Sequence, residues 1–195
     1  MRSDVSVQVS GGLFIFWAAA LLVLPFEWVL AALMAGGVHE LWHIAAIRLC
    51  GSRITAIDLG VNGAEIRMET VGRGRELICA LAGPVGGLLL LIPFRFFPRL
   101  ALCALVHSLY NLMPIYPLDG GRALRCCAQM AFSPDAADML CICAQWICRA
   151  GIFLLGVWGS LVLRLGLLPL MLAAGIVIKS GVIKIPCKQG RHRVQ

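Results

Sequence analysis

His39-Glu40-Leu41-Trp42-His43 stands inside the apolar run Trp28–Leu49, and this placement decides how the rest of the chain is read. Two histidines four residues apart on a helix differ by about 40° around its axis, so both imidazoles can reach one metal ion. Glu40 sits beside them as a proton carrier. Ionisable side chains are costly inside a membrane segment and usually mark a functional site, which weighs against a chance match.

The composition supports that setting. Hydrophobic residues make up 60% of the chain and charged residues 14%, with a mean hydropathy of +0.88, outside the range of an ordinary soluble domain. A chain of 195 residues has room for about six spans of about 20 residues and little else. The expected fold is an all-α polytopic membrane protein, one membrane-embedded domain over residues 1–195. A formal net charge of +7 would suit nucleic acid, but the arginines flank apolar runs and no aromatic-basic pattern accompanies them. The nine cysteines fall largely within expected spans and read as small apolar side chains. Neither Cys126-Cys127 nor Cys141-Ile142-Cys143 has the spacing of a structural zinc site.

Along the chain, Leu13–Leu24 is a short first span, read as retained rather than as a signal peptide because a second apolar run follows at once. Pro25–Glu27 breaks it, and Trp28–Leu49 is span two, ended by Gly51. From Ile54 to Met68, apolar residues alternate with Asp58, Gly60, Glu65 and Arg67, and Asn62-Gly63 supplies a hairpin turn. Span three covers about Glu76–Phe94. Span four starts near Pro98 and is broken after Tyr110, and spans five and six cover about Met139–Leu163 and Leu167–Ile183. Arg48, Arg53, Arg67, Arg73 and Arg75 follow span two. Arg122 and Arg125 follow span four, and Lys184, Lys188, Arg191 and Arg193 follow span six. The positive-inside rule places all three groups, and both termini, in the cytoplasm, with Arg95 and Arg99 as exceptions.

A second constellation is Asn111-Leu112-Met113-Pro114-Ile115-Tyr116-Pro117-Leu118-Asp119-Gly120-Gly121-Arg122. Its prolines and glycines exclude a regular helix. Irregular backbone at membrane depth is tolerated only where protein or a water-filled cavity satisfies it, and hydrolysis needs such a cavity. Of the ten carboxylates, only Glu40 and Asp119 fall at intramembrane positions away from a span boundary. Catalytic zinc takes three protein ligands and keeps one position open, so Asp119 is the expected third ligand. Leu49 occupies the place of a further histidine in the extended motif, which excludes that set. Glu65 has the spacing of a thermolysin-like ligand and stays as the alternative, disfavoured by its place on the exposed face of the hairpin.

The zinc helix together with the Asn-x-x-Pro-x-x-Pro-Leu-Asp-Gly-Gly segment resembles the site-2 protease family of intramembrane metalloproteases. Ala82-Gly83-Pro84 resembles the family's small-residue motif, although an Asn common shortly afterwards is replaced by Gly86 or Gly87. With no room for a PDZ or CBS domain, the chain resembles the compact bacterial type, that of stage IV sporulation protein FB. The resemblance implies a zinc ion (Zn2+) on His39, His43 and Asp119, with Glu40 as general base and then acid. It also implies a multi-pass protein of the bacterial cell membrane that cleaves a membrane-protein substrate, such as a regulator or a pro-sigma factor, under a membrane-protein regulator. The sequence leaves the oligomeric state, the substrate and the scissile bond open.

Asn111 resembles the family residue that engages substrate, and a helix C-cap is its structural alternative. The hairpin could take an unwound substrate by strand addition or simply cap a loop. His107, one turn before Asn111, is left outside the site as an interior histidine; Arg122 reads as an interfacial anchor, and Arg149 interrupts span five without an identified partner. A silent scaffold that binds transmembrane helices is the alternative function. Metal transport is a third, less suited to two histidines, a carboxylate and an adjacent acid.

Overall fold

The computed structural model describes residues 6–60, 63–69, 72–164 and 166–181. The elements are β1 (Ser6–Val9), α1 (Gly11–Val23), α2 (Phe26–Leu49), β2 (Ile54–Gly60), β3 (Gly63–Met68), α3 (Arg73–Leu89), α4 (Pro98–Asn111), α5 (Asp119–Ala131), α6 (Pro134–Leu161) and α7 (Leu168–Gly181). They fall into two compact units, Met1–Leu112 and Met113–Gln195.

In the first unit α2, α3 and α4 pack against one another. Their buried faces consist mostly of small residues. On α2, Ala31, Ala35, His39, His43 and Ala46 form one stripe at helical spacing. The buried residues of α3 include Cys79, Ala80, Gly83 and Gly87, and those of α4 are Ala101, Ala104 and Ser108. Lipid tails are as apolar as leucine, so helices in a bilayer associate through close packing, and small side chains permit it. The large apolar residues point the other way: Leu30, Leu33, Met34 and Leu41 of α2 are exposed, and α1 buries none of its residues. Small and polar inside with large and apolar outside reverses the pattern of a water-soluble bundle and suits a hydrocarbon solvent.

Among the described residues, two helices, α2 and α6, are long and apolar enough to cross a membrane. The four other expected spans correspond to α1, α3, α4 and α7, of 13, 17, 14 and 14 residues, each under the roughly 20 residues a straight crossing needs. Span three stops at Leu89, followed by turns over 90–96, and span five begins five residues before its expected start, at Pro134. The basic cluster at 184–193 lies outside the described residues.

The expected hairpin is present, with β2 antiparallel to β3 and a register shift at Thr55. Val61 and Asn62 of its turn lie outside the described residues; Gly63 has φ +108°, a region that favours glycine. The sheet holds one strand more than expected: β1 pairs in parallel with β2, Ser6 opposite Ala56 and Val9 opposite Leu59, in the order β1-β2-β3. Ile54, Ile66 and Met68 pack on Ala46, Ile47 and Cys79, so the sheet covers the C-terminal end of α2 and the start of α3. There Arg75 donates to the Cys50 carbonyl at 3.3 Å, a cation on the negative end of α2. At the opposite end of α2, Arg99 pairs with Glu27 at 3.0 Å. Pairing offsets the charge that made Arg99 an exception to the basic-residue pattern.

In the second unit α6 packs against α5 and α7. Residues 112–118 are irregular, with Tyr116-Pro117 in the cis form. The proline-glycine segment does not stay irregular to Arg122, however, because α5 begins at Asp119. A Cβ on Gly121 would stand 2.5 Å from the Ile115 carbonyl carbon. Gly121 thus serves a close approach, letting the first turn of α5 fold against the Ile115–Tyr116 backbone. In α6, Gln145 and Arg149 are buried and joined, Arg149 donating to Gln145 Oε1 at 3.3 Å. This identifies a partner for the arginine that interrupts the apolar run.

A side chain at Gly87 would run into Ser108 Oγ, whereas Gly151 faces open space. Gly87→Leu should lower stability by about 1–3 kcal/mol through overpacking, and Gly151→Ala should leave it unchanged or slightly raised. Thermal unfolding of both variants in detergent checks the packing.

Candidate metal centre

His39, Glu40 and His43 are placed by a single helix, so their relation follows from helical geometry alone. The tertiary structure adds orientation. His43 Nδ1 lies 2.7 Å from the Cys79 carbonyl oxygen of α3. A carbonyl can only accept, so Nδ1 carries the proton and Nε2 presents its lone pair, the tautomer a metal ligand requires. That Nε2 lies 3.1 Å from His39 Nε2, and the two rings stand at 78° with centroids 4.8 Å apart. Two nitrogens bound to a tetrahedral zinc are about 3.3 Å apart, so the pair is already spaced as ligands. Both rings are buried, His39 at 2% exposure and His43 at 7%.

The space beside the two nitrogens is kept open by glycine. A Cβ on Gly83 of α3 would overlap His43 Nε2 and stand 2.7 Å from His39 Nε2. Two residues of one turn further along α3, Gly86 and Gly87, admit Trp42 of α2 and Ser108 of α4 in the same way. The small-residue motif of span three therefore has a definite task at its first glycine, which is to let α3 pass the nitrogen-bearing edges of the histidines. Glu40, the neighbour of His39 on α2, is half-buried.

Asp119 is the first residue of α5 and is buried at 8% exposure. His39 and His43 of the first unit and Asp119 of the second are the buried metal-capable side chains among the described residues. Two neutral imidazoles and one carboxylate are a donor set that suits zinc and leaves a fourth position for water. The side chain of Glu65, the other carboxylate weighed, lies outside the described residues; its backbone pairs with Asp58 in the hairpin. No disulfide forms among the described cysteines, and none belongs to the metal-capable group.

Asn111 is the last residue of α4, and its Nδ2 donates to the His107 carbonyl at 3.0 Å. This capping contact uses one of its two amide hydrogens. His107, left outside the site on sequence grounds, packs directly on His39, with ring centroids 4.6 Å apart and planes at 88°. Nothing in the local pattern signals this contact, because it depends on the register of α4 against α2.

The fold matches the solved structure of the site-2 protease from Methanocaldococcus jannaschii with a TM-score of 0.59 and 19% identity, covering 96% of each chain. In sequence the chain is 33% identical over 125 residues to a zinc metalloprotease of Methanocaldococcus jannaschii, an alignment covering 57% of this chain. The matched region spans about a third of that relative's length, 34%. No protein-family model matches. The resemblance to site-2 proteases, first read from two motifs, is borne out by the comparisons, and the name of the sequence relative supports zinc as the metal.

Gly83→Ala places a methyl group where the two Nε2 atoms converge. It should weaken zinc binding by at least about tenfold, as disruption next to ligands commonly does, while Gly37→Ala, which meets open space on α2, should not. Competition with a chromophoric chelator measures both.

Proposed function

We propose that the chain is an intramembrane zinc metalloprotease that hydrolyses a peptide bond within or beside a transmembrane segment of a membrane-associated protein. The observation that carries this reading is the convergence of the two Nε2 atoms at 3.1 Å, with Glu40 next to them on the same helix. The site-2 protease fold supports it. His39, His43 and Asp119 would hold the ion, which when bound supplies Lewis acidity toward a water molecule and the scissile carbonyl.

Glu40 takes the proton from the attacking water and returns it to the departing amine nitrogen. Its half-buried position lets a carboxylate meet confined water without bulk solvent. A substrate helix hides its peptide bonds in its own hydrogen bonds, so cleavage requires local unwinding. Among the described residues β3 is an edge strand, and such an unwound strand would add there. Asn111 keeps its Oδ1 and second amide hydrogen for an exposed peptide group of the substrate.

The wider setting follows the same reading. The protein is a multi-pass protein of the bacterial cell membrane with both termini cytoplasmic, of the compact sporulation type. Its substrate is a membrane-associated regulator or pro-sigma factor, and a second membrane protein restrains it.

Glu40→Gln should retain zinc and lower cleavage of a co-reconstituted single-span reporter by at least about 100-fold, the usual scale of a lost general base. Asp119→Ala should lose the zinc itself. Cleavage at wild-type rate by purified Glu40→Gln would falsify the catalytic assignment.

A further inference from the structure

The metal reading accounts for both ligand histidines of α2 and leaves His107 of α4 unassigned, although its ring lies nearer to His39 than the His43 ring does, 4.6 Å against 4.8 Å between centroids. The two ligands are held by different means. His43 is oriented through Nδ1 by the Cys79 carbonyl. His39 meets the His107 ring at 88°, edge to face, an arrangement in which aromatic rings attract beyond simple burial. Rotation of an imidazole about its last side-chain torsion is broad and soft unless a neighbour blocks it. A ring packed at right angles supplies that block.

His107 is itself held in place. Gly36 of α2 faces it: a Cβ there would meet His107 Cε1 at 4.0 Å, an ordinary contact. Asn111 bonds to its carbonyl and closes the last turn of α4. The adjacent Ser108 is fully buried, with Gly87 opposite it, which fixes the rotation of α4 against α3. A small residue at 36, a ring at 107 and a ligand at 39 therefore form one packed column on the inner face of α2.

We propose that His107 is a positioning residue, whose ring, packed orthogonally on His39, holds the imidazole plane that turns Nε2 toward His43. The role belongs to the shape of the ring and needs no proton transfer. The inference rests on the metal reading of His39 and His43 and deepens it by naming what orients the first ligand.

The test uses the full chain in detergent with zinc and cobalt as probes, comparing His107→Ala and His107→Phe with wild type after circular dichroism confirms helicity. Phenylalanine keeps a planar edge against His39, and alanine removes it. Zinc affinity should fall about 10–100-fold in His107→Ala, the range for lost ligand support, and stay within about threefold of wild type in His107→Phe. The visible bands of the cobalt-substituted protein should shift and broaden in His107→Ala and match wild type in His107→Phe. Wild-type affinity and bands in His107→Ala would overturn the proposal. So would a loss in His107→Phe as large as in His107→Ala, since a polar atom rather than the ring would then be responsible. If His107→Ala does not fold, His107→Leu, which fills the space without a planar ring, takes its place with the same expected loss of affinity, and wild-type affinity in it overturns the proposal. Failure of the metal reading is distinguishable, because wild type itself would then take up neither zinc nor cobalt.

Discussion

The hydrogen bond from His43 Nδ1 to the Cys79 carbonyl, 2.7 Å long, is the constraint on which the first unit depends. It decides which nitrogen faces the metal position, and it is available only if α3 runs very near α2. That approach requires Gly83, where any side chain would displace the imidazoles, and Gly86, where it would strike Trp42. The same closeness one turn further on seats Ser108 of α4 over Gly87. Tautomer, helix spacing and glycine placement are thus a single requirement. The helix pair is packed for a ligand's orientation as much as for stability.

A hydrocarbon solvent makes a second demand, that irregular backbone be satisfied locally. The turn after α4 meets it with its own bonds, among them Leu118 N–H to the Ile115 carbonyl at 2.8 Å and Arg122 N–H to the Leu118 carbonyl at 3.0 Å. Gly121 allows the second of these to form against the Ile115–Tyr116 backbone. Asp119 is therefore set at the first position of α5, where the helix dipole favours a carboxylate. That dipole is worth about 0.3–1 kcal/mol to a carboxylate in the first turn.

How much was legible in the sequence follows the range of the interactions. His39, Glu40 and His43 lie on one helix, so local spacing was enough to group them, and the apolar runs located most helices to within a few residues. The β2–β3 hairpin was legible for the same reason, as alternation around a turn. β1 was not, because its four residues acquire meaning only from parallel partners some fifty positions away, at Ala56–Leu59. The start of α5 at Asp119 was hidden by proline and glycine, whose breaker character is real at 114–118 but gives way to close packing at Gly121. His107 was placed among ordinary interior histidines because its contact with His39 depends on helix register, which no local pattern encodes. Glycine at 83 was visible as a motif, while the face it serves became evident only from the imidazoles beside it.

The central claim is that the ion is held by two imidazoles and a carboxylate in a chain that also carries nine cysteines. Zinc K-edge X-ray absorption of the purified, remetallated protein tests it directly. The account predicts a first shell of nitrogen and oxygen at about 2.0–2.1 Å with the outer-shell pattern of two imidazoles. A sulfur shell at about 2.3 Å, or a protein that takes up no stoichiometric zinc, would contradict it.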